Sequence, residues 1–262
     1  MFPKLVSLGP LTIHTYGLML ATAFLMGTAL LARLAEQEGL PRQRAWDLGF
    51  VVILSALAGA KLLMVLGNLS YYLNQPSRLF ALEFWQAGGA YFGGLLGAII
   101  GSAIYIHRQP QLGFWGVADA AAPAIALGQS MGRVGCFAAG CDYGTPSRLP
   151  WAVTYTSQYA HQNVGVPLGV AVHPVQLYES LGAFLIFLVL LAFHRRRRFP
   201  GQVFSLYLLS YGALRFLDEF FRGDAGRGFV LHGLLSVPQL ISLLLLIAAP
   251  ILYFVNRPRV AG

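Results

Sequence analysis

Charge is scarce in this chain: Asp, Glu, Lys and Arg together make up 11% of 262 residues, and only two residues are cysteine. No linker, low-complexity stretch or internal repeat breaks the sequence, so residues 1–262 read as one domain. The Leu, Ala, Gly and Phe content of the apolar stretches favours helices over a membrane β-barrel, whose strands would alternate apolar and polar residues. The net charge is +8, but the one dense basic cluster is HRRRR at 194–198, directly after an apolar stretch. That position makes it a topology anchor, and no nucleic-acid partner is expected. No cleavable signal peptide is evident either. Ala21-Thr22-Ala23 has the small-x-small form of a cleavage site, but apolar sequence runs straight through it, so the first span is expected to remain as an anchor.

What the chain has in abundance is apolar length. It is 56% hydrophobic with a mean hydropathy of +0.62. Its apolar runs repeatedly approach the roughly 18–20 residues that cross a bilayer as helix. About seven spans follow on this criterion, near Tyr16–Leu34, Leu48–Leu69, Gly89–Ile106, Phe114–Met131, Pro174–Phe193, Val203–Phe221 and Leu234–Phe254. The expected fold is an all-α polytopic membrane protein, with a small external cap at 132–172 between spans four and five. Arg33, Arg42, Arg44, Arg108, Arg195 to Arg198, Arg257 and Arg259 all fall on one side of this topology. The positive-inside rule makes that side cytoplasmic, with the N-terminus outside and the C-terminus inside. The segment Asn68–Gly88 carries Tyr71, Tyr72, Phe84 and Trp85, aromatics suited to a membrane interface. Gly89, Gly93, Gly97 and Gly101 recur at every fourth position, a pattern that permits close helix packing and equally leaves room for a lipid tail.

Ionisable groups at membrane depth are expensive and by default mark a functional site. Here they gather in the outer half. His14 and Tyr16 open span one, and Lys61 lies late in span two. Arg133 stands in the glycine-rich run MGRVG after span four, His173, Gln176 and Glu179 begin span five, and Tyr211, Arg215, Asp218, Glu219 and Arg222 occupy the end of span six. Tyr211, Arg215, Glu219 and Arg222 share one helix face by their spacing. Two readings stand: an internal ion-pair network of Arg215 and Arg222 with Asp218 and Glu219, or a phosphate site built on Arg215 and Arg133. Arginine suits phosphate because its planar fork donates in pairs. Gly132 and Gly135 are further able to turn backbone N–H groups toward an anion. His173 is either a hydrogen-bonded structural residue or a proton acceptor or orienter, and Tyr16 is alternatively an interfacial anchor. Cys136 and Cys141 leave three readings. They are a disulfide in an oxidising exterior, a thiol tuned by Arg133, or a zinc site, which their spacing and the lack of a second ligand pair disfavour.

The chain resembles the bacterial prolipoprotein diacylglyceryl transferases over nearly its whole length. The resemblance rests on Tyr16-Gly17-Leu18-Met19, Gly59-Ala60-Lys61, Gly93-Gly94-Leu95-Leu96-Gly97 and Gly132-Arg133-Val134-Gly135 with Gly144. It continues in His173-Pro174-Val175-Gln176-Leu177-Tyr178-Glu179, Tyr211-Gly212 with Arg215-Phe216 and Glu219, and Leu235-Ser236 with Gln239. It implies transfer of the diacylglyceryl group of phosphatidylglycerol onto the lipobox cysteine of an exported prolipoprotein at the bacterial cytoplasmic (inner) membrane. No metal or organic cofactor is implied. Arg133 and Arg215 match the family's essential arginines, and Tyr211 and Tyr16 its active-site tyrosines. Gly132, Gly135, Gly144, Gln176, Glu179 and Glu219 fall on its substrate-binding motifs. Three positions depart: Phe92 stands where the family usually has a histidine, and Cys136 and Cys141 replace an asparagine and a glutamate. His173 becomes the first candidate for the base, with solvent or an activated Cys141 behind it. The alternatives are a related transferase with another acceptor, or a lipid or anion transporter. Transport is disfavoured because the polar residues collect on one side and no repeat is visible.

Overall fold

A computed structural model describes residues 2–8, 11–109 and 111–258; Arg259 of the topology argument lies outside them. The described chain is mostly helical. A hairpin of β1 (Lys4–Leu8) and β2 (Leu11–His14) leads into α1 (Thr15–Gln37) and α2 (Arg42–Gly67). Two short helices, α3 (Leu69–Asn74) and α4 (Leu82–Gln86), precede α5 (Tyr91–His107) and α6 (Phe114–Ala139). Next come β3 (Val153–Thr154), α7 (Gln158–Val164) and β4 (Ala171–Val172), then α8 (Val175–His194) and α9 (Gln202–Asp218). The small pair β5 (Phe229–Val230) and β6 (Leu235–Ser236) opens α10 (Val237–Asn256). The three two-stranded antiparallel sheets are an addition to the all-α expectation. They are too short for their apolar alternation to stand out.

Four helices, α1, α2, α8 and α10, are both long and apolar enough to cross a membrane. The 17 residues of α5 and of α9 fall short in length, and α6, although 26 residues long, carries Asp119 and Arg133 among many small residues. On the four, large apolar side chains face outward, among them Leu54 on α2, Leu181 and Val189 on α8, and Ile247 and Ile251 on α10. Apolar surface on that scale belongs against lipid rather than water.

The chain divides into two compact units, residues 32–114 and residues 1–31 with 115–262. In the first, α2 and α5 pack through glycine. A Cβ at Gly59 or Gly93 would overlap the other's carbonyl oxygen, and one at Gly97 would overlap that of Ser55. The stripe of small residues is therefore a backbone-to-backbone contact, which settles its packing role. Lys61 donates to the carbonyls of Phe84 and Ala87, so it ties down the end of α4.

In the second unit, Ala122 and Ala126 of α6, Leu190 of α8, Val203, Tyr207 and Leu208 of α9 and Ala249 of α10 form the core. Asp119, fully buried on α6, accepts from the N–H groups of Gly201 and Phe204 at 2.7 and 2.8 Å and pairs with Arg197 at 3.3 Å. A carboxylate from a neighbouring helix thus satisfies the open N–H groups at the start of α9. Ser236 and Gln239 cap α10 reciprocally, with bonds of 3.0 and 3.2 Å.

Gly93→Val forces α2 and α5 apart. The expected loss is about 3 kcal/mol or more, by overpacking against backbone that cannot yield. Thermal unfolding in detergent measures it, and a variant as stable as the wild type rules out this contact as the one that holds the unit together.

Candidate active site

On its sequence, the glycine-rich run around Arg133 is able to turn the N–H groups of Gly132 and Gly135 toward an anion. Instead α6 runs on through Gly132, Arg133 and Gly135 to Ala139. The N–H groups at these glycines are spent inside the helix, so they form no anion-binding turn. Gly135 is small for a different reason: a Cβ there would press on Met19 and Tyr16 of α1, at 3.0 and 3.3 Å. Tyr16 is thereby held alongside the last turns of α6. At Gly132 nothing lies within 4 Å of an added Cβ.

After α6 the chain folds over the ends of α8 and α9. Thr145 donates to the Phe221 carbonyl at 2.8 Å, Gly223 to that of Tyr143 at 2.9 Å and His173 to that of Thr145 at 3.0 Å. Gly144 sits at the crossing, where a Cβ would overlap the His173 carbonyl oxygen. Behind it lies a small core of Tyr155, Ala160, Val166 and Val172. Burial pushes the Tyr155 hydroxyl up to about 12. Gln176, buried at the start of α8, donates to that hydroxyl at 3.0 Å and to the Cys141 carbonyl at 2.7 Å. Its role is thus to hold the segment that follows α6.

This framework assembles two sets of ion pairs, one on Arg133 and Arg222 and one on Glu219. Arg133 meets Asp142 at 2.5 Å and Glu179 at 2.9 Å. Tyr211 donates to the other oxygen of Glu179 at 3.1 Å. Arg222 bridges Asp142 at 2.7 Å and Asp224 at 2.7 Å. Arg215 pairs with Glu219 at 2.8 Å, and Glu219 also takes Arg227 at 3.3 Å. The side chain of Glu179 is 2% exposed and that of Glu219 1%, whereas that of Asp142 is 32% exposed. Burial alone would push the Asp142 carboxyl up, but Arg133 and Arg222 outweigh it and hold it below the ordinary range. Asp142 also adopts a left-handed backbone, φ 57°, which Asp tolerates better than most residues. Asp218 is buried with one carboxylate oxygen lacking a hydrogen-bond partner.

Of the residues expected from sequence, Arg133, Glu179, Tyr211, Arg215 and Glu219 therefore join this charged cluster. The shared helix face ends early: α9 stops at Asp218, and Glu219–Phe221 form a tighter turn. Arg222 consequently leaves the face and pairs with Asp142 and Asp224, not with Asp218 or Glu219. Among the described contacts, the His173 ring meets Tyr178, whose hydroxyl lies 3.3 Å from Nδ1, and Phe221, but none of the charged residues. His14 lies 2.9 Å from the Tyr159 hydroxyl. Cys136 and Cys141 are free thiols, not a disulfide, and the Cys141 S–H donates to the Cys136 carbonyl at 3.7 Å. The hydrogen bond with Cys136 first, and burial second, hold Cys141 above the usual thiol range. Sequence reasoning missed Asp142, Asp224 and Arg227. Their charge at a loop was the available signal, but nothing local says which arginine or carboxylate they meet.

Comparison with known proteins adds to this geometry. The family model described as prolipoprotein diacylglyceryl transferase matches residues 3–255. The chain belongs to that family. Proteins named phosphatidylglycerol–prolipoprotein diacylglyceryl transferase from Clostridium tetani, Geobacter sulfurreducens and Bordetella parapertussis are 35%, 37% and 36% identical to it. The alignments cover 99%, 92% and 98% of this chain and 99%, 89% and 96% of those proteins. Family membership and the apolar helices together make it a bacterial integral membrane protein.

Removing one partner of a buried ion pair leaves a bare charge, which costs about 3–5 kcal/mol. Glu179→Ala leaves Arg133 with Asp142 as its remaining carboxylate partner and should lose stability toward the lower end of that range. Glu83→Ala breaks an exposed pair with Arg78, whose side chains are 83% and 47% exposed, and should lose less than about 1 kcal/mol. Equal losses in parallel denaturation curves would contradict the view that Glu179 is the principal counter-charge.

Proposed function

We propose that this transferase moves the diacylglyceryl group of phosphatidylglycerol onto the thiol of a prolipoprotein lipobox cysteine. This is the first step of lipoprotein maturation. Its substrates follow from the names of its relatives. The single structural observation that supports the chemistry is the pairing of Arg133 with Asp142. A guanidinium near the end of a helix is held there by a partly exposed carboxylate, a partner that a phosphate can replace without baring the arginine.

In the reaction the carbon–sulfur bond forms as the glyceryl carbon–oxygen bond to phosphate breaks, and glycerol phosphate leaves with the electron pair. The acceptor reacts as thiolate, and charge on the departing phosphate needs a preorganised counter-charge. In this reading Arg133 and Arg215 hold the phosphate and stabilise its departure. Glu179 and Glu219 aim those arginines, Tyr211 and Tyr16 orient the lipid head, and Gln176 keeps the Cys141–Asp142 segment in place. Gly132 keeps the approach to Arg133 free of side chains, while Gly135 and Gly144 let α1 and the His173 segment pack close to the site. His173 takes the thiol proton. In its favour, only its Nδ1 is engaged among the described hydrogen bonds. The whole chain acts as one transferase domain of seven spans in the cytoplasmic membrane, N-terminus outside and C-terminus inside. Residues 132–172 form an external cap, and the site lies in the outer half of the bilayer.

Purified protein in phosphatidylglycerol-containing detergent should attach thioether-linked diacylglycerol to a lipobox peptide. Arg133→Ala and Arg215→Ala should each lower that rate by a hundredfold or more, on the order seen when a charge-stabilising donor is lost. Wild-type rates in folded variants would remove both residues from phosphate binding.

A further inference from the structure

Cys136 and Cys141 take no part in the transfer proposed above, yet they are placed together. The Sγ atoms of both and a carboxylate oxygen of Asp142 all lie within 4.8 Å of one another. Both thiols are free. We infer that Cys136, Cys141 and Asp142 form a binding site for a borderline-soft divalent cation of the zinc class.

Ligand spacing supports this. An ion that takes sulfur at about 2.3 Å and oxygen at about 2.0–2.2 Å in tetrahedral array has ligand atoms some 3.3–3.8 Å apart. The three ligand atoms, all within 4.8 Å of one another, lie close to that spacing. The sequence spacing argued against zinc because no second ligand pair follows. The fold supplies the third ligand instead, from the residue next to Cys141.

Charge supports it too. Around the site two guanidiniums, Arg133 and Arg222, face three carboxylates, Asp142, Glu179 and Asp224. A dication that displaces one proton from each thiol leaves the net charge of this cluster unchanged, so the two nearby arginines do not expel it. Two thiolate ligands select against magnesium and calcium, which require oxygen. The supports behind the ligands are in place as well. Arg133 and Arg222 orient Asp142, Gln176 holds the Cys141 carbonyl at 2.7 Å, and the Gly140 N–H holds the Cys136 carbonyl at 2.8 Å. Asp142 and Cys141 are partly exposed, so an ion can reach the site and keep water as a fourth ligand.

The test uses the full-length protein in detergent, reduced and freed of metal, titrated with cadmium as the probe. A thiolate-to-cadmium ultraviolet band that saturates at one ion per chain, and that zinc then displaces, is the expected result. Cys136→Ser with Cys141→Ser should abolish the band. Asp142→Asn, which leaves both thiols in place, should weaken binding about tenfold or more. Three results overturn the site: no band from protein with two titratable thiols, a band that survives in the double variant, or cadmium binding unchanged in Asp142→Asn. Thiols that prove to be joined, with a mass two hydrogens lower before reduction, overturn it as well.

Discussion

A guanidinium stays charged at any pH this protein meets, so an arginine lodged among helices must be matched by anions. Arg133 sets that constraint where α6 ends in the second unit. Its two partners come from different parts of the chain, Asp142 from the loop after α6 and Glu179 from α8. Glu179 brings Tyr211 of α9, and Asp142 brings Arg222 from beyond α9. One cation thus ties three helix ends and the overlying segment together. The glycines at 144 and 223 exist because those segments cross at backbone distance: a Cβ at Gly223 would stand 2.5 Å from the Gly144 carbonyl oxygen.

The partners in this arrangement are unequally buried. Glu179 and Glu219 are inaccessible and act as fixed counter-charges, while Asp142 reaches the surface. On the phosphate-binding role proposed for Arg133, an incoming phosphate would exchange one anion for another, which avoids the large penalty of baring a buried charge. At the opposite end of α6, Asp119 solves a related problem, neutralising Arg197 while it caps α9. The basic run at 194–198 therefore anchors the helix by a specific pair and not by charge count alone.

How much of the site could be read in advance varied with distance along the chain. Arg215 and Glu219 are four residues apart and their pairing is a local consequence of helix geometry. Arg222, three further on, was assigned to the same face, but the helix tightens at Glu219 and the side chain turns to partners at 142 and 224. His173 is neighbour in sequence to Gln176 and Glu179, yet its ring joins Tyr178 and Phe221 because residue 173 precedes the first turn of α8. The glycines around Arg133 suit a turn by their conformational freedom, yet α6 runs through them to Ala139. Helix continues there because α1 packs against Gly135, and tertiary contact overrides the weak helix propensity of glycine.

The amino-acid sequence by itself determined the long apolar helices, their approximate bounds and the family, because hydropathy over some 20 residues and ordered motifs are properties of the chain alone. It also determined that arginines and carboxylates would have to meet, since so few charges stand beside so much apolar length. Which of them meet was decided only by tertiary structure. An ion pair depends on where side chains as far as 80 residues apart come to rest, as Asp142 does between Arg133 and Arg222, and the pattern of one segment carries no record of the segment that packs against it.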